Sequence, residues 1–210
     1  EISETNIFFK LSKYQGWLKE HIKTHPDFIK PKFRESEVLN NLTNPLPDLC
    51  VTRPRERLSW GIDVPFAKGH VTYVWFDALL NYISGAGWPD DKKAFEALWP
   101  ADVHLMAKDI LRPHAIYWPI MLKALDIAPP KTVFAHGWWV LAGEKISKSK
   151  GEVVDPLELT AKYGVDAYRY FLLREAQFGQ DGAYSEEALI ARVNSDLAND
   201  IGNLLNRTLT

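Results

Sequence analysis

Cysteine is almost missing from this chain: Cys50 is the one thiol in 210 residues. A single thiol excludes a disulfide framework and fits a reducing compartment, which points to the cytoplasm. With one cysteine and six scattered histidines, no zinc-ligand spacing is present and no metal site is expected in this segment. Long apolar runs are missing too. None approaches the roughly 18 residues a membrane helix needs, so no membrane partner is expected. No secretory leader is expected. Net charge is only -2, so no global positive field announces nucleic acid, and any RNA contact must be local. An initiating Met is absent as well. The chain enters at Glu1, runs into Ile7-Phe8-Phe9 and stops inside a helical pattern. Both ends are therefore expected to be cuts within a longer polypeptide.

What is present is an ordinary globular composition, 46% hydrophobic and 25% charged. It suffices for one large domain, or a domain and part of another. Residues 6–23 read as an amphipathic helix, with Phe8, Leu11, Tyr14 (or Gln15), Leu18 and Ile22 at helical spacing. A short helix follows through Arg34–Asn41, and Leu49–Arg53 reads as a short strand. The cluster Arg53-Pro54-Arg55-Glu56-Arg57 reads as a loop, either solvated or facing phosphate. Val71–Phe76 is β-branched and aromatic and apolar on both faces. That predicts a central strand of a covered parallel sheet, with Asp77 at the carboxyl end where ligands bind. Ala78–Ser84 continues as a helix.

Asp102–Ala107 reads as a strand ending in Lys108 and Asp109, Pro113–Leu125 as a helix, and Thr132–His136 as a third strand closed by Gly137. Trp138–Ala142 reads as extended. Strand, helix, strand, helix, strand predicts an α/β fold with a parallel sheet. Beyond Gly151 the pattern turns helical. Asp155-Pro156-Leu157-Glu158 is a helix start, with Asp as cap and Pro in the first turn. Asp166 is expected to cap the next helix, Ala167–Arg174. Gly179 and Gly182 mark a loop. Ser185 is expected to cap a long helix with the stripe Leu189, Val193, Leu197, Ile201, Leu204 and Leu205.

Between Gly143 and Gly151 lies Glu144-Lys145-Ile146-Ser147-Lys148-Ser149-Lys150. Lysine ammoniums suit phosphate as point charges, and hydroxyls add hydrogen bonds. The local pattern fits a loop closing on a triphosphate and a solvated basic turn about equally. Its context separates the two.

Lys145-Ile146-Ser147-Lys148-Ser149 resembles the KMSKS signature of class I aminoacyl-tRNA synthetases, with Ile in the second place. Tyr73-Val74-Trp75-Phe76-Asp77-Ala78, with Tyr82 beyond, is similar to the methionyl-tRNA synthetase segment that lines the amino-acid pocket. Lys108-Asp109-Ile110-Leu111-Arg112-Pro113-His114, ending in Tyr117-Trp118-Pro119, is similar to that family's next pocket segment. Pro113 stands where many relatives carry an aromatic. Asn199-Asp200-Ile201-Gly202-Asn203-Leu204-Leu205-Asn206-Arg207 is similar to its first anticodon-domain helix.

The resemblance covers nearly the whole chain in the right order. It implies the second half of a Rossmann-like parallel sheet, followed by an α-helical stem region and the start of a helical bundle. The implied divisions are 1–34 for the return from a connective insertion, 35–144 for the second Rossmann half, 145–184 for the lysine loop and stem helices, and 185–210 for the first bundle helix. The family's HIGH motif, first Rossmann half and zinc-bearing insertion would precede Glu1, so the 210-residue chain by itself is expected to be inactive.

The resemblance implies methionine–tRNA ligase activity, with ATP, methionine and tRNA(Met) as partners and Mg2+ accompanying ATP. Lys145 and Lys148 would be catalytic. Ser147, Ser149, His136, Gly137, Trp139 and Asp63 would join them around ATP, and Arg53 could reach pyrophosphate. Trp75, Ala78, Leu79, Tyr82, Asp109, Ile110, His114 and Trp118 would hold methionine, although without the resemblance Trp75 and Trp118 would read first as plain core. Asn203 and Arg207, four apart on one helical face, could read anticodon bases or simply face solvent. Leucine-, isoleucine-, valine- and cysteine-specific enzymes of the class share the lysine loop, and a non-catalytic tRNA-binding relative is the alternative from another class.

Overall fold

A computed structural model of the chain describes residues 4–141, 144–145 (backbone) and 154–210. It divides into two units, Glu1–Ala135 and His136–Thr210.

The first unit opens with β1 (Phe8–Phe9), a single tight turn of helix at Leu11–Tyr14, and α1 (Gln15–Thr24). The single helix expected over 6–23 is thus confined to its second half. The reason lies 40 residues on: Phe8 and Phe9 pair antiparallel with Cys50 and Leu49 of β3 (Leu49–Cys50). Between them come β2 (Ile29–Lys30) and α2 (Lys32–Asn41).

The expected strand Leu49–Arg53 is split, because Val51 turns its N–H to the Ile7 carbonyl before β4 (Thr52–Pro54) begins. β4 then pairs antiparallel with β5 (His70–Thr72). The strand expected through Phe76 stops there. Tyr73 is extended and α3 runs from Val74 to Ser84 (Val74–Ser84). The buried and half-buried residues Trp75, Phe76, Leu79, Leu80 and Ile83 fall at helical spacing and pack in one cluster. Asp77 accordingly lies in the first turn of a helix and not at a strand end. A further helix not expected from the sequence, α4 (Lys92–Leu98), has its start capped by the Asp91 carboxylate accepting from the Ala94 N–H at 2.9 Å.

β6 (Val103–Ala107) matches its expectation. After a short turn at Lys108–Ile110 the expected helix begins as one wide π-type turn, Pro113–Tyr117, and tightens into α5 (Trp118–Ala124). β7 (Thr132–His136) forms the middle of a sheet in the order β2-β7-β6, and it runs parallel to β2 with Ile29 opposite Val133. The core lies on this sheet. Leu18, Ile22, Ile29, Val38, Met106, Ile116, Ile120 and Val133 are all buried in one cluster, each contributing roughly 1.5–3 kcal/mol by leaving water. An α/β architecture with a parallel pairing is therefore present as expected.

The second unit holds β8 (Trp139–Leu141) and β9 (Glu144–Lys145), paired antiparallel with Val140 opposite Lys145. α6 (Pro156–Tyr163) starts where expected: the Asp155 carboxylate accepts from the Leu157 N–H at 2.8 Å. α7 (Val165–Glu175) begins earlier than expected. Gly164 occupies its cap position at φ 88°, a value that favours glycine, and Asp166 falls inside the first turn. The expected loop at Gly179–Gly182 ends in β10 (Gly182–Ala183), which adds parallel to β8. Ser185 caps α8 (Glu186–Arg192) by accepting from the Ala188 N–H at 3.1 Å. The helix continues through a wider segment at Val193–Ile201 into α9 (Gly202–Leu209). No described helix is long and apolar enough to cross a membrane.

Candidate functional site

Two elements of the first unit bring aromatic and histidine rings together. One face of α3 carries Trp75, Leu79 and Tyr82. The wide turn before α5 carries His114, and the first residue of α5 is Trp118. A π-type turn frequently marks a functional site because it re-aims one side chain out of helical register. Here the turn places His114 so that its Nδ1 donates to the Ile110 carbonyl at 2.8 Å. A carbonyl can only accept, so the proton is on Nδ1 and the neutral ring presents Nε2 as an acceptor. The Tyr82 hydroxyl, 2.9 Å away, donates to it. Burial lowers the His114 pKa, with the bond to Ile110 opposing it, and burial raises that of the Tyr82 hydroxyl. Both therefore stay in the neutral forms this arrangement requires.

The rings form a continuous set. Trp75 meets His114 edge-on at 6.4 Å, and Tyr82 meets His114 at 5.7 Å and Trp118 at 5.9 Å. Trp118 and Leu79 are buried while Tyr82 is 39% exposed. The structure thus unites Trp75, Leu79, Tyr82, His114 and Trp118, and ties Ile110 to them through its carbonyl. Asp109 is exposed in the turn just before Ile110, and Ala78 is half-buried on α3. Pro113 is buried at the start of the wide turn.

Sequence reasoning missed two members of this set. His104 lies 4.1 Å from Tyr82, edge-on, and Trp99 lies 5.8 Å from His104 and 6.1 Å from Trp118. The alternation of β6 would have turned His104 to the same side as Met106 and into the core.

The residues expected around ATP fall in both units. Asp63 is exposed in the loop between β4 and β5, ion-paired with Arg55. Arg53 lies 4.3 Å over the Tyr73 ring, and one of its terminal nitrogens donates to the Thr52 carbonyl at 2.8 Å and contacts the Cys50 Sγ at 2.9 Å. In the second unit a cavity of about 450 Å³ is lined by His136, Gly137, Trp139, Leu172, Phe178 and Gly182 among others. His136 Nδ1 donates to the Gly137 carbonyl at 2.7 Å. Gly137 is required there, since a Cβ would stand 2.2 Å from the Gln180 carbonyl carbon and oxygen.

Of the lysine loop, Lys145 is placed by the backbone pairing of β9. Ser147, Lys148 and Ser149 lie outside the described residues. Asn203 and Arg207 are exposed on α9, where the Asn203 side-chain amide donates to the Asn199 Oδ1 at 2.7 Å. Among the described residues no three His, Cys, Asp or Glu side chains are grouped to hold a metal ion.

The model of the family tRNA synthetases class I (M) matches residues 1–209 of the chain. The chain belongs to that family. Among its relatives is the methionine–tRNA ligase of Fusobacterium nucleatum, 54% identical over 210 residues that cover 99% of this chain and 33% of that protein. The methionine–tRNA ligase of Caldanaerobacter subterraneus is 55% identical, covering 100% of this chain and 33% of that protein. The fold agrees with Mycobacterium tuberculosis methionyl-tRNA synthetase in complex with methionyl-adenylate, at a TM-score of 0.90 and 50% identity over 98% of this chain and 40% of that one. The chain therefore spans about a third of the length of the curated relatives it matches, at 33% of each of these two.

Proposed function

We propose that this chain is part of a methionine–tRNA ligase, which joins methionine to tRNA(Met) at the expense of ATP. The observation that carries the reading is the Tyr82–His114–Trp118 ring set. A thioether is apolar and polarizable and gains from aromatic edges, and this set offers several neutral rings around one partly open tyrosine. Trp75, Ala78, Leu79 and Ile110 complete the wall on this reading, with Asp109 orienting the turn that carries Ile110.

In the first step an oxygen of the methionine carboxylate attacks the α-phosphorus of ATP. The bond to the bridging oxygen breaks, and pyrophosphate leaves with its electron pair. The carboxylate is already ionised, so no general base is needed. Positioning and charge stabilisation supply the catalysis. Lys148 is assigned to the phosphates, with Lys145 beside it and Ser147 and Ser149 shaping the loop. His136, Gly137 and Trp139 are assigned to the nucleoside, and Asp63 to its ribose. Mg2+ would accompany ATP on its phosphates. In the second step the methionyl carbonyl passes to a terminal ribose hydroxyl of tRNA and AMP leaves.

The helices α6 and α7 are read as the stem region and α8–α9 as the start of an anticodon-binding bundle, with Asn203 and Arg207 directed at bases. Amino-acid-dependent ATP–pyrophosphate exchange, run with the complete gene product carrying this sequence, tests the reading. Exchange with methionine is expected. Exchange with leucine, isoleucine, valine or cysteine in its place would refute it.

A further inference from the structure

β6 is built the wrong way round for a plain sheet strand. Val103 and Leu105 are 54% and 60% exposed, while His104 is buried beside the equally buried Met106. The hydrophobic effect alone would place an apolar side chain at an inward position and leave the imidazole outside. Nor does a hydrogen bond explain the burial: the His104 Nε2 is enclosed and has no partner, which ordinarily disfavours such a site.

What His104 does have is rings. Its imidazole stands 4.1 Å from Tyr82 at 74°, closer than any other ring that meets Tyr82, and Trp99 backs it at 5.8 Å. Tyr82 is tethered at its hydroxyl by His114. A single bond at the tip of a phenol fixes one point, and the His114 and Trp118 rings meet Tyr82 only at 5.7 and 5.9 Å, so the ring keeps some freedom to tilt. The closer edge-on contact of His104 at 4.1 Å restrains that freedom most, and such contacts have a preferred geometry that an alkyl group lacks.

We propose that His104 is a positioning residue of the amino-acid pocket: it holds the Tyr82 ring in place while His114 holds the hydroxyl. This rests on the reading of the ring set as the amino-acid pocket. On this account the partly exposed Tyr82 ring meets the substrate side chain, and His104 acts only through it. The contact needs a ring at 104, not a proton, so phenylalanine can serve there and glutamine or alanine cannot.

The test is the KM for methionine and for ATP, with kcat, in pyrophosphate exchange by the complete gene product and its variants. His104→Ala is expected to raise the KM for methionine about five- to ten-fold, the equivalent of losing one aromatic pair, with kcat and the KM for ATP changed less than two-fold. His104→Phe is expected to restore the wild-type KM. An unchanged KM for methionine in His104→Ala, or an equal rise for ATP, overturns the proposal. Where His104→Ala does not fold, His104→Gln replaces it, and equal effects of Gln and Phe overturn the proposal in the same way. If another amino acid drives exchange, the methionine reading fails, and the same KM comparison with that amino acid still decides the role of His104.

Discussion

Lowering the pH from 7 to 5 is expected to cost the Glu1–Ala135 unit about 1–2 kcal/mol through His104 alone. Its imidazole is 5% exposed, and its pKa is lowered from 6.5 to about 4, by burial first and then by electrostatic repulsion from the neighbouring imidazole of His114 once that ring takes up a proton in acid. Because the folded value lies below the unfolded one, the unfolded chain takes up the proton first. The stability is fully present above pH 6.5, falls as the pH drops towards 4 and levels off below that. At pH 5 protonation favours the unfolded state about 30-fold and the folded state hardly at all, a difference of about 2 kcal/mol that solvent screening reduces. His21, lowered to about 4 by burial and by His25, and His114 work in the same direction.

The assay is the denaturation midpoint at pH 7 and pH 5 for the wild type and His104→Phe, so that carboxylates and the other histidines cancel in the difference. The variant should lose less stability than the wild type by the stated amount. Equal losses would refute the argument. So would an imidazole resonance of His104 that titrates between pH 7 and 5.

Three further changes have definite outcomes. Tyr82→Phe leaves the buried His114 Nε2 without its donor. Water can reach the half-open site, so the loss should sit near 1 kcal/mol, about a five-fold rise in the KM for methionine; no rise would contradict the role of the hydroxyl. Gly137→Ala puts a Cβ 2.2 Å from the Gln180 carbonyl atoms and should destabilise the His136–Thr210 unit by more than about 2 kcal/mol in a denaturation titration; wild-type stability would contradict the close approach. Lys148→Ala should slow methionyl-adenylate formation by about 100-fold or more in single-turnover kinetics while leaving methionine affinity nearly unchanged; the reverse pattern would remove Lys148 from the phosphates.

Where a residue's local chemistry decided the structure, the sequence was legible. Asp155 and Ser185 cap helices because their oxygens accept from N–H groups two and three residues on, and these positions could be read directly. Thr132–His136 and Val103–Ala107 were legible as strands because short apolar or alternating runs stood between turn residues.

Val71–Phe76 failed for a physical reason. A run apolar on both faces has no period to distinguish a buried strand from a buried helix, and only the partners of Trp75, Leu79 and Ile83 settle it. Phe8–Phe9 and Gly182–Ala183 became strands through pairings with Leu49–Cys50 and Trp139–Val140, which no local window contains. At the site, Trp75, Tyr82, His114 and Trp118 were named beforehand by resemblance and stand together in the fold. His104 was not, because its significance lies in a ring contact across 22 residues of chain and in the inward turn of β6.

The central claim is that the ring set of Trp75, Tyr82, His114 and Trp118 receives the methionine side chain. A crystal structure of the complete gene product with bound methionine tests it most directly. The account predicts the thioether sulfur against the rings of Tyr82, His114 and Trp118, with the Tyr82 hydroxyl still on His114 Nε2. Methionine lodged elsewhere, for instance in the apolar groove of about 160 Å³ between Phe9, Phe76, Leu80 and Met121, with the ring set closed and empty, would contradict it.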